Sequence, residues 1–415
     1  MRTIRVAIVP LIAIAGLLFL VSALSHPATA GAPRATDLFA ATDGSGTACT
    51  QDVPCTLQTA LAQAAGGDSI YVAAGTYTST QNPLLDINKS VTIYGGWNGG
   101  PMNPGIVRWP EMLPAVLNGE GARRVVRING PYSVTLDGLG IGGGLPVDTS
   151  GGAGVLIQGG AQVTIRHCGI GQNYVGMADG AGVRVEGAST VLIEQSAVVS
   201  NTAVTLFSQG GNGGGVFAAA GSYVTVVDST VSHNSADAGG AGLRLSGATA
   251  TLVNLTIADN TGGGADGIYA TNTALTLTSS IVVSNTRGVR VDGTGATAVT
   301  YNDVWNNAGG NYAGLTDPTG TNGNVSLDPL FVSGPYLTYY LSQVAAGQAV
   351  NSPALDAGNG PATALADYDY LTTRSDNGFD TGTVDMGYHH RKLYWYHFAL
   401  FTLMSPGTGE VGREH

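Results

Sequence analysis

The chain has 415 residues, of which 63 are glycine and only 11% are charged, and its formal net charge is −11. Average globular proteins contain about 7% glycine and about 25% charged residues. The apolar content of 43% argues against a disordered chain, because it is enough to build a core. The acidic balance gives no support to nucleic-acid binding, which needs a basic surface.

The first thirty residues differ in composition from the rest. Arg2 and Arg5 precede an apolar run at 6–24, and the sequence ATA at 28–30 offers a small-residue cleavage site. This layout predicts a secretory signal peptide over residues 1–30, so we expect a mature protein that is secreted or held at the cell surface. An uncleaved membrane anchor is the alternative, because the apolar run is long enough to span a bilayer.

The segment after the leader predicts a disulfide and a short helix. Cys49 and Cys55 lie close together in an exported chain, which favours a small disulfide-closed loop. Cys168 falls on an inward position of the repeat described below, so we expect an inert buried thiol. In residues 55–78, apolar residues line one helical face until GG at 66–67 ends the helix and a strand follows. Such a helix would cover the edge of the first coil.

An eleven-residue pattern recurs six times between residues 163 and 307. VTIRHCGIGQN at 163–173 returns as VLIEQSAVVSN at 191–201, VTVVDSTVSHN at 224–234, ATLVNLTIADN at 250–260 and LTLTSSIVVSN at 275–285, and more loosely as TAVTYNDVWNN at 297–307. Positions 1, 3 and 8 are mostly apolar and β-branched, which predicts strands with one buried face. Position 11 is always asparagine: Asn173, Asn201, Asn234, Asn260, Asn285 and Asn307.

A second strand, introduced by glycine, separates the copies. It reads GAGVLIQGG from 152, GAGVRVEGA from 180 and GAGLRLSGA from 240. The unit of strands and turns recurs every 21 to 33 residues, which is typical of a solenoid. Unequal repeat lengths argue against a β-propeller and favour a right-handed parallel β-helix. We interpret the asparagine column as a left-handed corner whose side chains hydrogen-bond from coil to coil.

The predicted fold is therefore all-β, a right-handed parallel β-helix solenoid with a short N-terminal capping helix. The repeat and its N-terminal cap occupy residues 31–316. Beyond it the pattern stops, and a stretch at 317–390 rich in Pro, Tyr and Asp predicts an irregular C-terminal cap. The apolar part of the tail at 391–415 is too short to cross a membrane, so this tail is either a surface contact or a poorly ordered end.

Several motifs resemble known proteins. The segment GGDSIYVAAGTYT at 66–78 and the coils after it resemble secreted bacterial proteins of the pectate-lyase-like β-helix superfamily. Four further motifs resemble secreted β-helix proteins with a choice-of-anchor Q region: YGGW at 94–97, DPLF at 328–331, SPALDAG at 352–358 and DTGTVDMGYHH at 380–390. The resemblance covers about residues 35–390 and implies the β-helix fold. It is a poor guide to chemistry, since one fold hosts many functions.

Signatures of familiar pectin-degrading enzymes are missing from the sequence. There is no NTD, DD, GHG or QDTL motif. Glycoside hydrolysis needs a pair of carboxylates, and lyase chemistry needs a base beside a cation. The candidates are Arg166 and Glu194, expected on adjacent coils about 4.8 Å apart, and Asp228 on the same face. They are either a base and acid in a groove or an ordinary surface ion pair.

The sequence SDNGFDTGTVD at 375–385 is the one candidate metal site. Asp376, Asp380 and Asp385 could offer oxygen ligands to Ca²⁺. The spacing does not match an EF-hand, and a turn with Asp and Gly chosen for backbone reasons is the alternative. We expect no other cofactor.

Arginine alternates with apolar or aromatic residues along one outward column of the second strand. Successive arginines would lie roughly 10 Å apart, near the rise of a disaccharide, and could bind carboxylate or sulfate groups. The alternative is packing that separates like charges, with Glu186 and Asp292 as neighbours. The column is Arg127, Leu156, Arg184, Phe217, Arg244, Tyr269 and Arg290.

These observations favour a monomeric, non-catalytic solenoid that binds an anionic polysaccharide or cell-surface glycan, with no nucleic acid and no membrane contact beyond the leader. A polysaccharide lyase or glycoside hydrolase that uses a groove on the β-helix is the alternative function.

Overall fold

The computed structural model describes residues 35–99, 106, 108–205, 211–264 and 266–392. The predicted signal peptide at 1–30 and the predicted tail after Lys392 lie outside the described residues. Within the described part of the chain, no helix is both long and apolar enough to cross a membrane.

Three parallel sheets, which we call A, B and C, form the coils of the solenoid. A complete coil contributes one strand to each sheet, in the chain order C, A, B. Sheet A consists of Asp37–Ala40, Ser69–Ala73, Val91–Trp97, Ser133–Asp137, Gln162–Arg166, Thr190–Glu194, Tyr223–Val227, Thr249–Val253, Ala274–Thr278 and Thr297–Thr300. Sheet B consists of Gly75–Tyr77, Ala115–Asn118, Leu139–Gly142, Gly169–Gly171, Ala197–Val199, Thr230–Ser232, Thr256–Ala258, Ile281–Val283 and Asp303–Trp305.

The other strands are arranged in the same coil order or belong to the C-terminal region. Sheet C consists of Leu85–Ile87, Val126–Asn129, Val155–Gln158, Val183–Val185, Val216–Ala218, Leu243–Ser246, Asp266–Thr271, Arg287–Asp292 and Tyr312–Ala313. A small parallel sheet adds Tyr174–Gly176, Thr202–Val204 and Ser235–Ala236. Two antiparallel pairs follow, Phe331–Gly334 with Leu337–Leu341 and Leu371–Thr372 with His390–Arg391. Short 3-10 turns occupy Val344–Ala346, Ala362–Ala364 and Tyr368–Tyr370.

The register matches the repeat seen in the sequence. Val163 pairs with Val191, and Val191 with Val224, so each column of the repeat becomes a column of the sheet. The apolar residues of these columns are buried in one continuous core. The predicted all-β fold, a right-handed parallel β-helix, is therefore confirmed.

The N-terminal features are also as predicted. A disulfide joins Cys49 to Cys55. The helix Leu57–Gln63 starts at Thr56, whose hydroxyl accepts a hydrogen bond from the Thr59 N–H at 3.2 Å. Its apolar face lies in the same core as the first coils. Cys168 is a buried free thiol, and burial raises the pKa of this thiol to about 12.

The asparagine column forms a continuous ladder of hydrogen bonds. The Nδ2 of Asn173 donates to Oδ1 of Asn201 at 2.9 Å, and Asn201 donates to Asn234 at 3.0 Å. The same contact continues through Asn260 and Asn285 to Asn307. Each amide also donates to a backbone carbonyl of the preceding coil, as Asn201 does to Ile170 at 2.9 Å. The predicted coil-to-coil hydrogen bonding is confirmed.

The prediction that these asparagines adopt the left-handed conformation is wrong, because the residue before each of them adopts it instead. Positive φ belongs to the residue at position 10, as in Gln172 (58°) and Ser200 (56°), whereas the asparagines are absent from this class. The left-handed residue turns the chain so that the following asparagine side chain points inward. Position 5 is left-handed as well, at His167, Gln195, Asp228, Asn254, Ser279 and Tyr301.

The glycines before each strand of sheet C make room for the ladder. A Cβ on Gly182 would lie 2.5 Å from the Gly215 carbonyl oxygen of the next coil and 3.0 Å from Nδ2 of Asn201. Gly180, two residues earlier, has a φ of +69°, a backbone conformation that residues with a side chain rarely adopt. The repeated GxG motif therefore reflects close coil packing and one left-handed turn.

Residues 331–392, which we call the C-terminal strap, lie against several coils that precede the last one. They do not only close the last coil, because they contact a series of earlier coils. The contacts, in strap order, are Tyr339 with Asp259, Asn359 with Ser279, Ala366 with Gln195, Tyr388 with Thr256, His389 with Asp228, and Arg391 with Glu111.

Removing one rung of the ladder should destabilise the fold. Asn201 is fully buried, so an Asn201→Ala variant removes the acceptor of the Asn173 amide and one of the two donors to Oδ1 of Asn234. We expect the free energy of unfolding in urea to fall by about 3 kcal/mol. The exposed Asn88→Ala change is the matched control and should have almost no effect. Equal effects of the two changes would contradict a stabilising ladder.

Candidate functional site

A cavity of about 450 Å³ lies between the C-terminal strap and the corner where sheet A turns into sheet B. We call it the cationic cavity. Its basic groups are Arg108, Arg166, Arg391 and Lys392, and its acidic groups are Glu111, Asp137 and Asp367. Trp109, Tyr336 and Tyr370 supply aromatic walls. Since the strap supplies several of these residues, the cavity exists only when the strap is docked.

Asp137 is the centre of the charge network in this cavity. Its side chain is only 3% exposed, and it accepts hydrogen bonds from Nη2 of Arg108 at 3.0 Å and from Nε of Arg166 at 2.7 Å. The Nδ1 atom of His167 lies 3.2 Å from the same carboxylate. Burial acts to raise the pKa of Asp137, but the hydrogen bonds from His167 and Arg108 outweigh it and hold this pKa well below its usual range. Asp137 is therefore a carboxylate at neutral pH.

Arg108 and Arg166 share the single carboxylate of Asp137, at a cavity lined by four basic and three acidic groups. Arg108 is held by the Gly95 carbonyl at 2.9 Å, and its guanidinium lies 4.5 Å from the centre of the Tyr94 ring. Arg166 is 39% exposed, and only its Nε has a hydrogen-bond partner within the described part of the chain. One carboxylate thus faces two guanidinium groups. The free Nη atoms of Arg166 can bind an oxyanion.

The three residues proposed as catalytic do not form one group. Arg166 and Glu194 are register partners on adjacent strands, as expected, but Arg166 bonds Asp137 on the preceding coil instead of Glu194. Burial raises the pKa of Glu194, and its carboxylate makes no hydrogen bond or ion pair with any described residue. Asp228 lies under the strap, where it binds His389. The sequence missed Asp137 and Arg108, because they lie outside the six aligned copies.

A buried ion triad fastens the strap to the solenoid. The ring of His389 lies between Oδ1 of Asp228 at 3.1 Å and Oδ2 of Asp380 at 3.1 Å, and its side chain is fully buried. Burial acts to lower the pKa of His389, but the hydrogen bonds to the two carboxylates prevail and raise it to about 10. His389 is therefore an imidazolium at neutral pH. Sequence reasoning missed this contact because His389 and Asp228 are 161 residues apart.

The structure rearranges the candidate metal ligands. Asp380 and Asp385 lie together, but the third carboxylate within 4.8 Å is Asp356, which the sequence did not suggest. Asp376 instead forms an ion pair with Arg374 at 2.7 Å. The Asp385 carboxylate already accepts hydrogen bonds from the Asp356 N–H at 2.7 Å and from the Thr373 hydroxyl. Burial raises the pKa of Asp385 to about 6. Calcium binding by this cluster stays a prediction.

The arginine column has the predicted register, since Arg127, Leu156, Arg184 and the rest pair along sheet C. The predicted outward position is wrong for Leu156 and Phe217, which are buried. The ion pairs are Arg127 with Asp86, Arg184 with Asp179 and Glu186, and Arg290 with Asp292, while Arg244 donates to Thr271. The guanidinium groups of Arg244 and Arg290 lie 3.9 and 4.3 Å from the Tyr269 ring centre. These contacts favour the packing interpretation, and glycan binding by the column stays a prediction.

The match to a family model supports the fold. Residues 148–325 match the family described as a right-handed β-helix region. The crystal structure of pectate lyase Pel9A is similar over 86% of this chain and 97% of that chain, with 12% sequence identity and a TM-score of 0.42. No curated protein sequence matches the chain. The chain is a right-handed parallel β-helix protein, and at this identity the likeness gives no information on its activity.

Docking of the strap should weaken at alkaline pH. Because the pKa of His389 is raised from 6.5 to about 10 in the folded protein, its stabilising contribution is complete below about pH 6.5 and is lost as pH rises through about 10. We expect the free energy of unfolding in urea to fall by at least about 2 kcal/mol between pH 6 and pH 10. A His389→Gln variant should not show this fall. Parallel pH profiles for the two proteins would contradict a buried imidazolium.

Proposed function

We propose that the protein is an extracytoplasmic β-helix protein that binds an acidic polysaccharide, and that the cationic cavity holds the carboxylate or sulfate group of one sugar residue. The observation that carries this proposal is the Arg166 guanidinium, whose Nη atoms have no partner among the described residues and which lies at a cavity lined by four basic and three acidic groups. The Cys49–Cys55 disulfide supports an oxidising compartment outside the cytoplasm.

The size and walls of the cavity suit a sugar residue. Its volume of about 450 Å³ lies within the range of small-molecule sites, which is roughly 300–1,000 Å³. Trp109 is 39% exposed and offers an apolar ring face against which a sugar can stack. The cavity, rather than the arginine column, is the better binding site, because the arginines of the column already have acidic or aromatic partners.

Substitution of Arg166 tests whether the ligand binds at the cationic cavity or at the arginine column. Arg166→Gln removes the free guanidinium, so we expect roughly tenfold weaker binding of hexuronate oligosaccharides, measured by isothermal titration calorimetry at low salt. Arg184→Gln is the matched control on the column, where Arg184 is held by Glu186 at 2.8 Å, and it should leave the affinity within about twofold. A loss confined to Arg184→Gln would move the binding site to the column. No binding by the unchanged protein would refute the proposal.

A polysaccharide lyase is the second candidate function, and Lys392 is the observation that favours it. Its Nζ is buried without a hydrogen-bond partner among the described residues, and burial lowers the pKa of Lys392 to about 8. Nζ lies 2.9 Å from the centre of the Phe379 ring. A neutral amine there can take the proton from the carbon next to a bound uronate carboxylate. The electron pair then forms a C=C bond as the glycosidic oxygen leaves and takes a proton from water.

The lyase candidate predicts a defined pH dependence. Since the base must be neutral, the rate should increase as pH rises through about 8. Lys392→Met should abolish the ultraviolet absorbance of the unsaturated product while hexuronate binding persists. Binding by the unchanged protein without product over pH 7 to 10 would leave only the binding function.

A further inference from the structure

A second cavity, of about 430 Å³, lies beside the cationic cavity between the C-terminal strap and sheet B. We call it the aromatic cavity. Tyr336 and Arg391 line both cavities, so the two are neighbours along the strap. The other walls that matter here are Ser232, Thr338, Tyr339, Tyr388 and His390. The two cavities therefore share a wall formed by these two residues.

His390 is an unsatisfied hydrogen-bond acceptor in the wall of the aromatic cavity. The residue is 4% exposed, and burial lowers the pKa of His390 to about 3, so its ring is neutral. One ring N–H is used by the backbone of Tyr339, and the ring stacks on Tyr340 with 3.7 Å between centres. The Nε2 atom has no partner in the described part of the chain. Buried acceptors of this kind are normally satisfied, so a ligand O–H or N–H group that reaches Nε2 would gain a hydrogen bond.

The chemistry of the aromatic cavity differs from that of the cationic cavity. Its one charged wall residue is Arg391, which already pairs with Glu111 at 3.3 Å. The Tyr339 hydroxyl donates to Asp259 at 3.0 Å, which brings a negative charge close to this side. A second acidic sugar would therefore be disfavoured. A neutral ring with several hydroxyl groups fits the tyrosine walls and can donate to His390.

We infer that the aromatic cavity binds a neutral sugar residue next to the acidic residue held in the cationic cavity. This inference rests on the proposed function and makes it more specific. The ligand is then a heteropolysaccharide in which uronate and neutral sugars are neighbours, and not a polymer of uronate alone. A hydroxyl of the neutral sugar donates to Nε2 of His390.

The test compares two oligosaccharides of equal length, one made of hexuronate alone and one in which hexuronate alternates with a neutral hexose. Thr338 is exposed at the rim of the aromatic cavity, so Thr338→Trp should fill the cavity without disturbing the core. Ser333→Trp, an exposed position on the same antiparallel pair, is the matched control. His390→Phe keeps the ring that stacks on Tyr340 but removes the acceptor.

In calorimetric titrations the unchanged protein should bind the mixed oligosaccharide about tenfold more tightly than the hexuronate one. Thr338→Trp and His390→Phe should remove this preference while hexuronate affinity stays the same, and Ser333→Trp should keep it. Equal affinity of the unchanged protein for both ligands, or a preference that survives Thr338→Trp, would overturn the inference.

The outcome also separates this inference from the function on which it rests. Hexuronate binding that depends on Arg166 but shows no effect of Thr338→Trp would retain the proposed function and refute the neutral subsite. Binding of the mixed ligand that depends on Thr338 and not on Arg166 would retain the neutral subsite and refute the cationic one. No binding of either ligand would refute both.

Discussion

Every feature of this protein depends on the register in which one coil stacks on the next. A single coil of three short strands cannot bury its apolar side chains, so the core exists only between stacked coils. The ladder from Asn173 to Asn307 fixes the register, because each amide contacts both neighbouring coils. A slip of one residue would turn the apolar columns outward and break every rung. The same register brings Asp137, Arg166 and Glu194 from three coils into one row.

The strap converts this regular surface into a surface with cavities. A β-helix face alone is shallow, and both cavities form where the strap lies against sheets A and B. The ion triad of Asp228, His389 and Asp380 decides how the strap lies, because a buried imidazolium has few alternative positions in which both its N–H groups find carboxylates. Burying three charged groups is costly, and an apolar contact would often be at least as stable. What the triad supplies is a defined position for the neighbouring Tyr388 and His390.

The sequence predicted what repeats and missed what does not. The apolar columns, the asparagine ladder and the arginine register follow from a pattern written six times, so they could be found without coordinates. The contact between Asp137 and Arg108 could not be predicted in this way, because neither residue lies in the six aligned copies. The His389 contact joins positions 161 residues apart, and no local pattern encodes it. The prediction for the asparagines at position 11 was correct for their hydrogen bonds. It was wrong for their backbone conformation, because the residue before each asparagine has the positive φ.

Charge distribution distinguishes the cationic cavity from the arginine column more strongly than the number of arginines does. On sheet C, Arg127, Arg184 and Arg290 each pair with a carboxylate of the same or a neighbouring segment, as Arg184 does with Glu186, while Arg244 stacks on Tyr269. Because such pairs are already satisfied, an incoming carboxylate must displace one, and little free energy is gained. At the cavity Asp137 already bonds both Arg108 and Arg166, but the Nη atoms of Arg166 have no partner among the described residues, so an incoming anion adds a contact without breaking one. The partly covered cavity also lowers the local dielectric, which strengthens that contact relative to the exposed column. An acidic ligand should therefore select the place where the protein's own charges are least balanced.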